Sequence, residues 1–281
     1  MKNYRLFEAL IQHEKTAPFS IAAKALLADL KLDIPPLKGA KADVGHEFFD
    51  IDQEKFLERN AHTLSLAAKE ESAIVCIEHS SLLSLALTKD ILSHDQAFFE
   101  RIAQRFLSKN ISLNVDVEII ALEQFLIENV GVEALQQAVQ KTFSTFKAGL
   151  FQSNTSCRSR KYADLDTFST LLDAISLPCV AHESMVESDG FEVFDVAPHL
   201  AKQLASKVLL DLFDNAADFV VVSDARSFIM FDHYQKECEK VAGRDIGLGI
   251  LTLPELLLLA LGQTDKKRIG LDQHKSSVTL I

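Results

Sequence analysis

An internal duplication constrains this chain more than any single motif, because two copies of one arrangement must bury their apolar faces in the same way. Tyr4-Arg5-Leu6-Phe7 reads as a short strand. The helix after it runs through Ile21-Ala22-Ala23-Lys24-Ala25-Leu26-Leu27 and ends between Asp29 and Asp33, before Pro35 and Pro36. The same order returns as the strand Lys147-Ala148-Gly149-Leu150-Phe151, a helix over 168–175 and then Pro178. Leu6-Phe7 and Leu150-Phe151 stand 144 residues apart, and so do Asp29 and Asp173. The next elements repeat as well. A helix over 56–69 leads into Ala73-Ile74-Val75, then Cys76-Ile77-Glu78-His79 and an apolar helix from Leu82. A helix over 200–215 leads into Phe219-Val220-Val221-Val222, then Ser223-Asp224-Ala225-Arg226-Ser227 and a helix from about Phe228. In this alignment Cys76 matches Asp224, an offset of 148.

Short apolar strands alternating with amphipathic helices define an α/β class with mostly parallel sheets. The expected architecture is two similar halves, 1–144 and 145–281, each a short sheet flanked by helices and related by a pseudo-twofold. A further strand is expected over 115–120, and a last one at Gly249-Ile250-Leu251. Thr252 and Glu255 form a capping-box pattern at the start of the helix Leu256–Leu261, whose all-round apolarity predicts a core position. No Pro/Gly/Ser-rich linker separates the halves, so they are expected to pack closely. Composition narrows the function classes. With 48% hydrophobic and 25% charged residues the chain reads as soluble and globular, and a net charge of −11 argues against a nucleic-acid groove. The longest apolar run is interrupted by Pro254 and Glu255, so no membrane insertion is expected, and no signal peptide is read at the N-terminus. Four cysteines in 281 residues suit a reducing cytoplasm rather than a disulfide framework.

Several strings, taken in order, resemble the B-type subunit of heterodisulfide reductase and its relatives built from CCG domains. Ile250-Leu251-Thr252-Leu253-Pro254-Glu255-Leu256, with Gly270-Leu271-Asp272-Gln273-His274-Lys275 beyond it, looks like the family's C-terminal strand, helix and following segment. Arg59-Asn60-Ala61 with Leu64-Ser65-Leu66-Ala67 looks like the helix before its first Cys-x-x-Cys, and Glu128-Asn129-Val130-Gly131-Val132-Glu133 like its connection between halves. The resemblance implies a Cys, a Cys-Cys-Gly and a Cys-x-x-Cys in each half, which together ligate iron–sulfur clusters used in disulfide electron chemistry. This chain departs from that pattern. In the second half those positions fall at Asn154, at Ser188-Asp189-Gly190 and at Asp224-Ala225-Arg226-Ser227. In the first they fall near Leu10, near Ala40-Lys41, and at Cys76 with His79. Soft thiolates hold iron–sulfur units, and these residues do not rebuild such a set, so no cluster is expected.

The ligand-binding candidates are therefore Asn154, Ser188, Asp189, Asp224, Arg226, Ser227, Cys76 and His79. On one reading they line a polar crevice for a small polar or anionic ligand. On the plainer reading Asp224 or Ser223 caps a helix and side chains fill the former cluster space. Leu10 and Ala40 suggest a first-half site packed shut beside a hydrated second-half pocket. Cys157, followed by Arg158-Ser159-Arg160-Lys161, has the cations that activate a thiol, although a solvated loop is the plainer reading of the run. His46-Glu47 with Asp50 and Asp52 reads as a hard-metal patch or, more simply, a solvated loop. The expected function is a non-redox binding or assembly protein of the cytoplasm, partnering another subunit of an electron-transfer complex. No catalytic residue and no cofactor are assigned. The alternative is a zinc protein or enzyme using the Cys-x-x-His pairs Cys76/His79 and Cys179/His182.

Overall fold

The computed structural model describes residues 2–162, 164 and 166–279, with all their side chains except those of Ser156 and Cys157. The thiol of Cys157 thus lies outside the described residues. The first half opens with β1 (Asn3–Phe7), α1 (Ala17–Asp29), α2 (Phe48–Ile51) and α3 (Gln53–Lys69). It continues with β2 (Ser72–Cys76), α4 (His79–His94), α5 (Gln96–Leu107), β3 (Ile119–Ala121), α6 (Leu122–Asn129) and α7 (Val132–Ala138). The second half runs β4 (Ala148–Phe151), α8 (Ser153–Ser159), α9 (Asp166–Ala174), α10 (Pro198–Asp214) and β5 (Phe219–Val222). It closes with α11 (Ala225–Phe228), α12 (Gln235–Ala242), β6 (Gly249–Thr252), α13 (Leu253–Ala260) and α14 (Lys266–Ile269).

Each half builds one three-stranded, all-parallel sheet, β1-β2-β3 and β4-β5-β6, with the second strand in the centre. The central strands are buried at every residue, as strands covered by helices on both faces must be. Phe7 pairs with Cys76 in one sheet, and Phe151 pairs with Val222 in the other. The outer edges match too. Leu6 N–H donates to Pro35 O and Leu37 N–H to Leu6 O (3.0 and 2.9 Å), while Ala148 N–H donates to Pro178 O and Val180 N–H to Ala148 O (2.9 and 2.8 Å). Proline suits these edges because its missing N–H faces away from the ladder.

The expected strand over 115–120 is shorter and later, pairing only through Ile119–Ala121. Before it, Asp116 N–H turns back to Asn114 Oδ1 (2.9 Å) and Val117 N–H to Val115 O (2.9 Å), which uses donors a ladder would need. The capping pattern at α13 forms as read: Thr252 N and Oγ1 both bond Glu255 Oε2 (2.8 and 2.9 Å), and all eight residues of the helix are buried. The halves pack by exchange. Helix α1 of the first lies on α13 of the second, and α9 of the second lies on α6 of the first, as a twofold relation requires. The longest described helices, α3 and α10, have 17 residues each, and no described helix is long and apolar enough to cross a membrane.

Candidate functional site

Where β5 ends, Ser223 turns the chain and Asp224 caps α11, its Oδ1 accepting from the N–H groups of Arg226 (3.0 Å) and Ser227 (2.9 Å). A carboxylate suits this place because the first N–H groups of a helix have no internal partner. Asp224 Oδ2 accepts from Ser153 Oγ at 2.6 Å. The Ser227 hydroxyl lies 2.6 Å from Asp189 Oδ2 and 3.1 Å from Asp224 Oδ1, bridging two carboxyls. One hydroxyl has one proton to give, and burial together with the neighbouring Asp224 charge pushes Asp189 up to about 7, so this carboxyl keeps its own proton near neutrality. The turn that carries Asp189 depends on Gly190, whose φ is +83° and where a Cβ would sit 2.3 Å from Ala201 O.

Arg226 extends from this centre into the first half. Its guanidinium bonds Glu47 and the Thr155 hydroxyl and lies 3.2 Å from His46 Nδ1. Burial opposes the charge, but Glu47 and Asp224 more than offset it and keep the group protonated. Burial instead drives His46 down to about 4, which leaves a neutral imidazole able to accept from Arg226.

The first half has a matching centre. Glu78 caps α4, accepting from Ser80 N–H (2.8 Å) and Ser81 N–H (2.6 Å), and its Oε2 also takes Ala225 N–H from the other half (3.2 Å). His79 N–H returns a bond to Ser223 O at 3.0 Å, so the two caps meet where the halves meet. The Ser80 hydroxyl donates to Asp43 Oδ2 (3.2 Å), while Asp43 Oδ1 is buried with no hydrogen-bond partner. Burial, then the Asp43 charge, raises Glu78 to about 7.

These contacts change the alignment of the halves. Cys76 pairs in the sheet as Val222 does, so Glu78 matches Asp224, Ser81 matches Ser227 and Asp43 matches Asp189, each 146 residues apart. The offset of 148 that places Cys76 opposite Asp224 is two residues too long. Cys76 is a strand residue, 1% exposed, and burial lifts its thiol well above the ordinary range. His79 is engaged elsewhere, with Nε2 2.5 Å from Glu123 Oε1 and its ring edge-on to Phe168. Burial works against its proton, and the Glu123 carboxylate more than offsets that, so its pKa is raised.

Of the second-half candidates, Asp189, Asp224, Arg226 and Ser227 converge, each at most 5% exposed. Ser188 turns outward to Glu192 (2.6 Å). Asn154 is half-buried and bonds its neighbour, while Ser153 and Thr155 on either side supply the contacts to the centre. The open, hydrated crevice expected here is closed, because these polar groups satisfy one another. The first-half site is not simply packed apolar either: Leu10 is in the core, but Asp43 and Glu78 hold a polar centre. Cys179 bridges the outer edge of β4, and His182 Nε2 takes Leu150 O at 2.7 Å, so both belong to the β4-β5-β6 sheet while Cys76 belongs to the β1-β2-β3 sheet. Among the described residues no three His, Cys, Asp or Glu side chains form a group able to hold a metal ion. The sequence reading does not single out Glu78, Asp43, Ser153, Thr155 or Glu123, although Glu78-x-x-Ser81 repeats Asp224-x-x-Ser227 in plain view.

The cap at Asp224 and the β6–α13 unit beside it lie in a segment that a family model matches. Residues 191–275 match the HdrB-like C-terminal domain family. This segment is similar to HdrB-like C-terminal domains. It contains Asp224, Arg226 and Ser227, and the resemblance to the B-type subunit of heterodisulfide reductase is thereby borne out. Over nearly its whole length the chain is also similar to the 8-methylmenaquinol:fumarate reductase membrane anchor subunit of Wolinella succinogenes, with 23% identity over 284 residues, 99% of this chain and 98% of that one. In fold it is similar to a hypothetical protein from Helicobacter pylori, with a TM-score of 0.83 and 21% identity. All of this chain is covered in that comparison, but it spans only 53% of the Helicobacter chain.

Proposed function

We propose that this HdrB-like chain is a cytoplasmic, non-redox subunit of an electron-transfer complex, retaining the family's two-half scaffold for protein–protein assembly and holding no iron–sulfur cluster. The observation that carries this reading is the repeated acid-x-x-Ser cap. Where the family resemblance implies a Cys-x-x-Cys, Asp224/Ser227 bind backbone N–H groups and Asp189, and Glu78/Ser81 stand at the equivalent place in the first half. Carboxylates and hydroxyls already engaged in this way are hard, occupied ligands and do not fit an iron–sulfur cluster, which soft thiolates hold. Membership of a complex is supported by the name of the Wolinella relative, which describes that protein as a subunit of a reductase.

The test is metal and sulfide analysis of protein purified and reconstituted without oxygen. Iron and acid-labile sulfide near zero, with no visible charge-transfer absorption, are expected. Stoichiometric iron and sulfide would overturn the proposal, and zinc near one per chain would turn it toward the Cys-x-x-His alternative.

A further inference from the structure

In the first half a groove of about 590 Å³ runs between α3 and the end of α5. Its walls carry Lys41, Lys55, Arg59, Arg105 and Lys109 against Asp52 and Glu58, which is five cations for two carboxylates, an excess of three. That excess is unexpected in a chain of net charge −11. Part of it is neutralised: Arg105 and Lys109 both pair with Glu58, and Arg105 also with Glu54. Among the described residues Lys41, Lys55 and Arg59 make no ion pair, and Asp52 is committed to capping α3 through Lys55 N–H (3.0 Å).

Two polar atoms in the groove wall are also left over. Arg59 Nη2 holds Ala42 O at 3.0 Å, but its Nε is buried without a partner, and so is Nδ1 of His62, which lines the same groove one turn along α3. Buried polar atoms without partners are costly unless something supplies the missing donor or acceptor. Burial and the neighbouring Lys41 and Lys109 charges lower the pKa of His62, so the imidazole itself registers the positive field.

We infer that this groove is a binding site for a compact small molecule bearing a diphosphate group, with Lys41, Lys55 and Arg59 as its charge-matching residues and Arg59 Nε and His62 as buried hydrogen-bonding partners. The volume is within the usual range for sites that enclose small ligands, and two linked phosphates supply the two to three negative charges the walls leave unbalanced. Lys41 and Ala42 lie just before Asp43, so an occupied groove also braces the segment that covers the first-half carboxyl pair.

Calorimetric titration of the intact protein with inorganic pyrophosphate, and separately with ADP, tests this. Saturable one-to-one binding of at least one probe is expected, weakening as salt rises. The double variant Lys41→Gln/Lys55→Gln alters only groove-wall lysines and should weaken it at least tenfold, and Arg59→Gln should do the same. A control, Lys207→Gln/Lys236→Gln, removes the same charge far from the groove and should leave affinity within about twofold. The inference is overturned if neither probe saturates, if the control weakens binding as much as the groove variant, or if an oligoglutamate peptide binds more tightly than pyrophosphate.

Discussion

In the second half the residue two beyond the cap is Arg226, and in the first the matching residue is Ser80. Both centres hold two buried carboxyls joined through a serine, by the Ser227 hydroxyl in the second half and by the hydroxyl and N–H of Ser80 in the first, yet they balance the charge differently. Asp189 and Asp224 face a guanidinium that also reaches Glu47 across the boundary between halves. Among the described residues Asp43 and Glu78 are met by a hydroxyl and backbone N–H groups, and Asp43 Oδ1 has no hydrogen-bond partner. Each centre has one carboxyl raised to about 7, Asp189 or Glu78, but only the second half adds a buried cation. Isolated buried charge is prohibitive, so a duplicated cavity lined with acids is stable either with an added cation or with a retained proton.

The largest test of this contrast is removal of the cation. Arg226→Met leaves Glu47 and the two aspartates without their shared counter-charge and is expected to cost about 3 kcal/mol, toward the low end for a broken buried pair because Glu47 is a third exposed. Ser80→Ala removes one hydroxyl bond from the first centre and should cost about 1 kcal/mol. Urea unfolding of the two variants checks both values. Equal losses would erase the distinction between the centres.

A smaller effect should separate the two caps. Asp224→Asn keeps the shape and an acceptor for α11 but takes away an anion facing Arg226, for an expected loss of about 2 kcal/mol. Glu78→Gln replaces a carboxyl whose pKa is raised to about 7 and which is therefore only partly charged at pH 7, and its expected cost there is under about 1 kcal/mol. If Glu78→Gln proves the more damaging, Glu78 is an anion in the folded protein and the two centres work alike.

What the sequence makes legible here follows from how local each signal is. Runs such as Phe219-Val220-Val221-Val222 and the Thr252/Glu255 cap declare themselves within a few residues, and they form as read. The register between halves is harder, because Cys76 is the residue type that the family pattern leads one to match with the second half's Asp224. Helix capping gives the true equivalence, since an acid followed three residues later by serine occurs at both Glu78 and Asp224. The partners of Arg226 carry no such signal. His46, Glu47 and Thr155 reach it from distant parts of the chain, and only the packed halves bring them together.

The raised carboxyl in each centre also predicts a pH dependence. Glu78 loses its proton at about 7 when folded against an ordinary 4.5, and Asp189 at about 7 against 3.8, so between those values the folded state binds more protons and stability falls as pH rises. Burial opposes the proton of His274, but Glu255 and Asp232 outweigh it and hold the group at about 10. Its contribution to stability is complete below 6.5 and is lost as pH climbs through 10. His46 acts oppositely, its contribution being present above 6.5 and lost as pH falls toward 4. Thermal midpoints should therefore drop by a few degrees from pH 6 to pH 9. Glu78→Gln should reduce the part of that slope below about pH 7 and leave the parts due to Asp189 and His274. An unchanged slope would mean that the first-half pair carries no proton near neutrality.

The smallest predicted effect bears on Cys76. In the ladder it occupies the place that Val222 occupies in the other sheet, and it is as deeply buried as Val222. A residue that serves only as a small apolar strand position should accept its counterpart from the other half. Cys76→Val adds little volume to a strand that already contains Val75 and Ile74, and the expected change is under about 1 kcal/mol with no change in metal content. A loss of several kcal/mol accompanied by release of a stoichiometric metal would return Cys76 to the ligand position and undo the 146-residue register on which the comparison of the two halves rests.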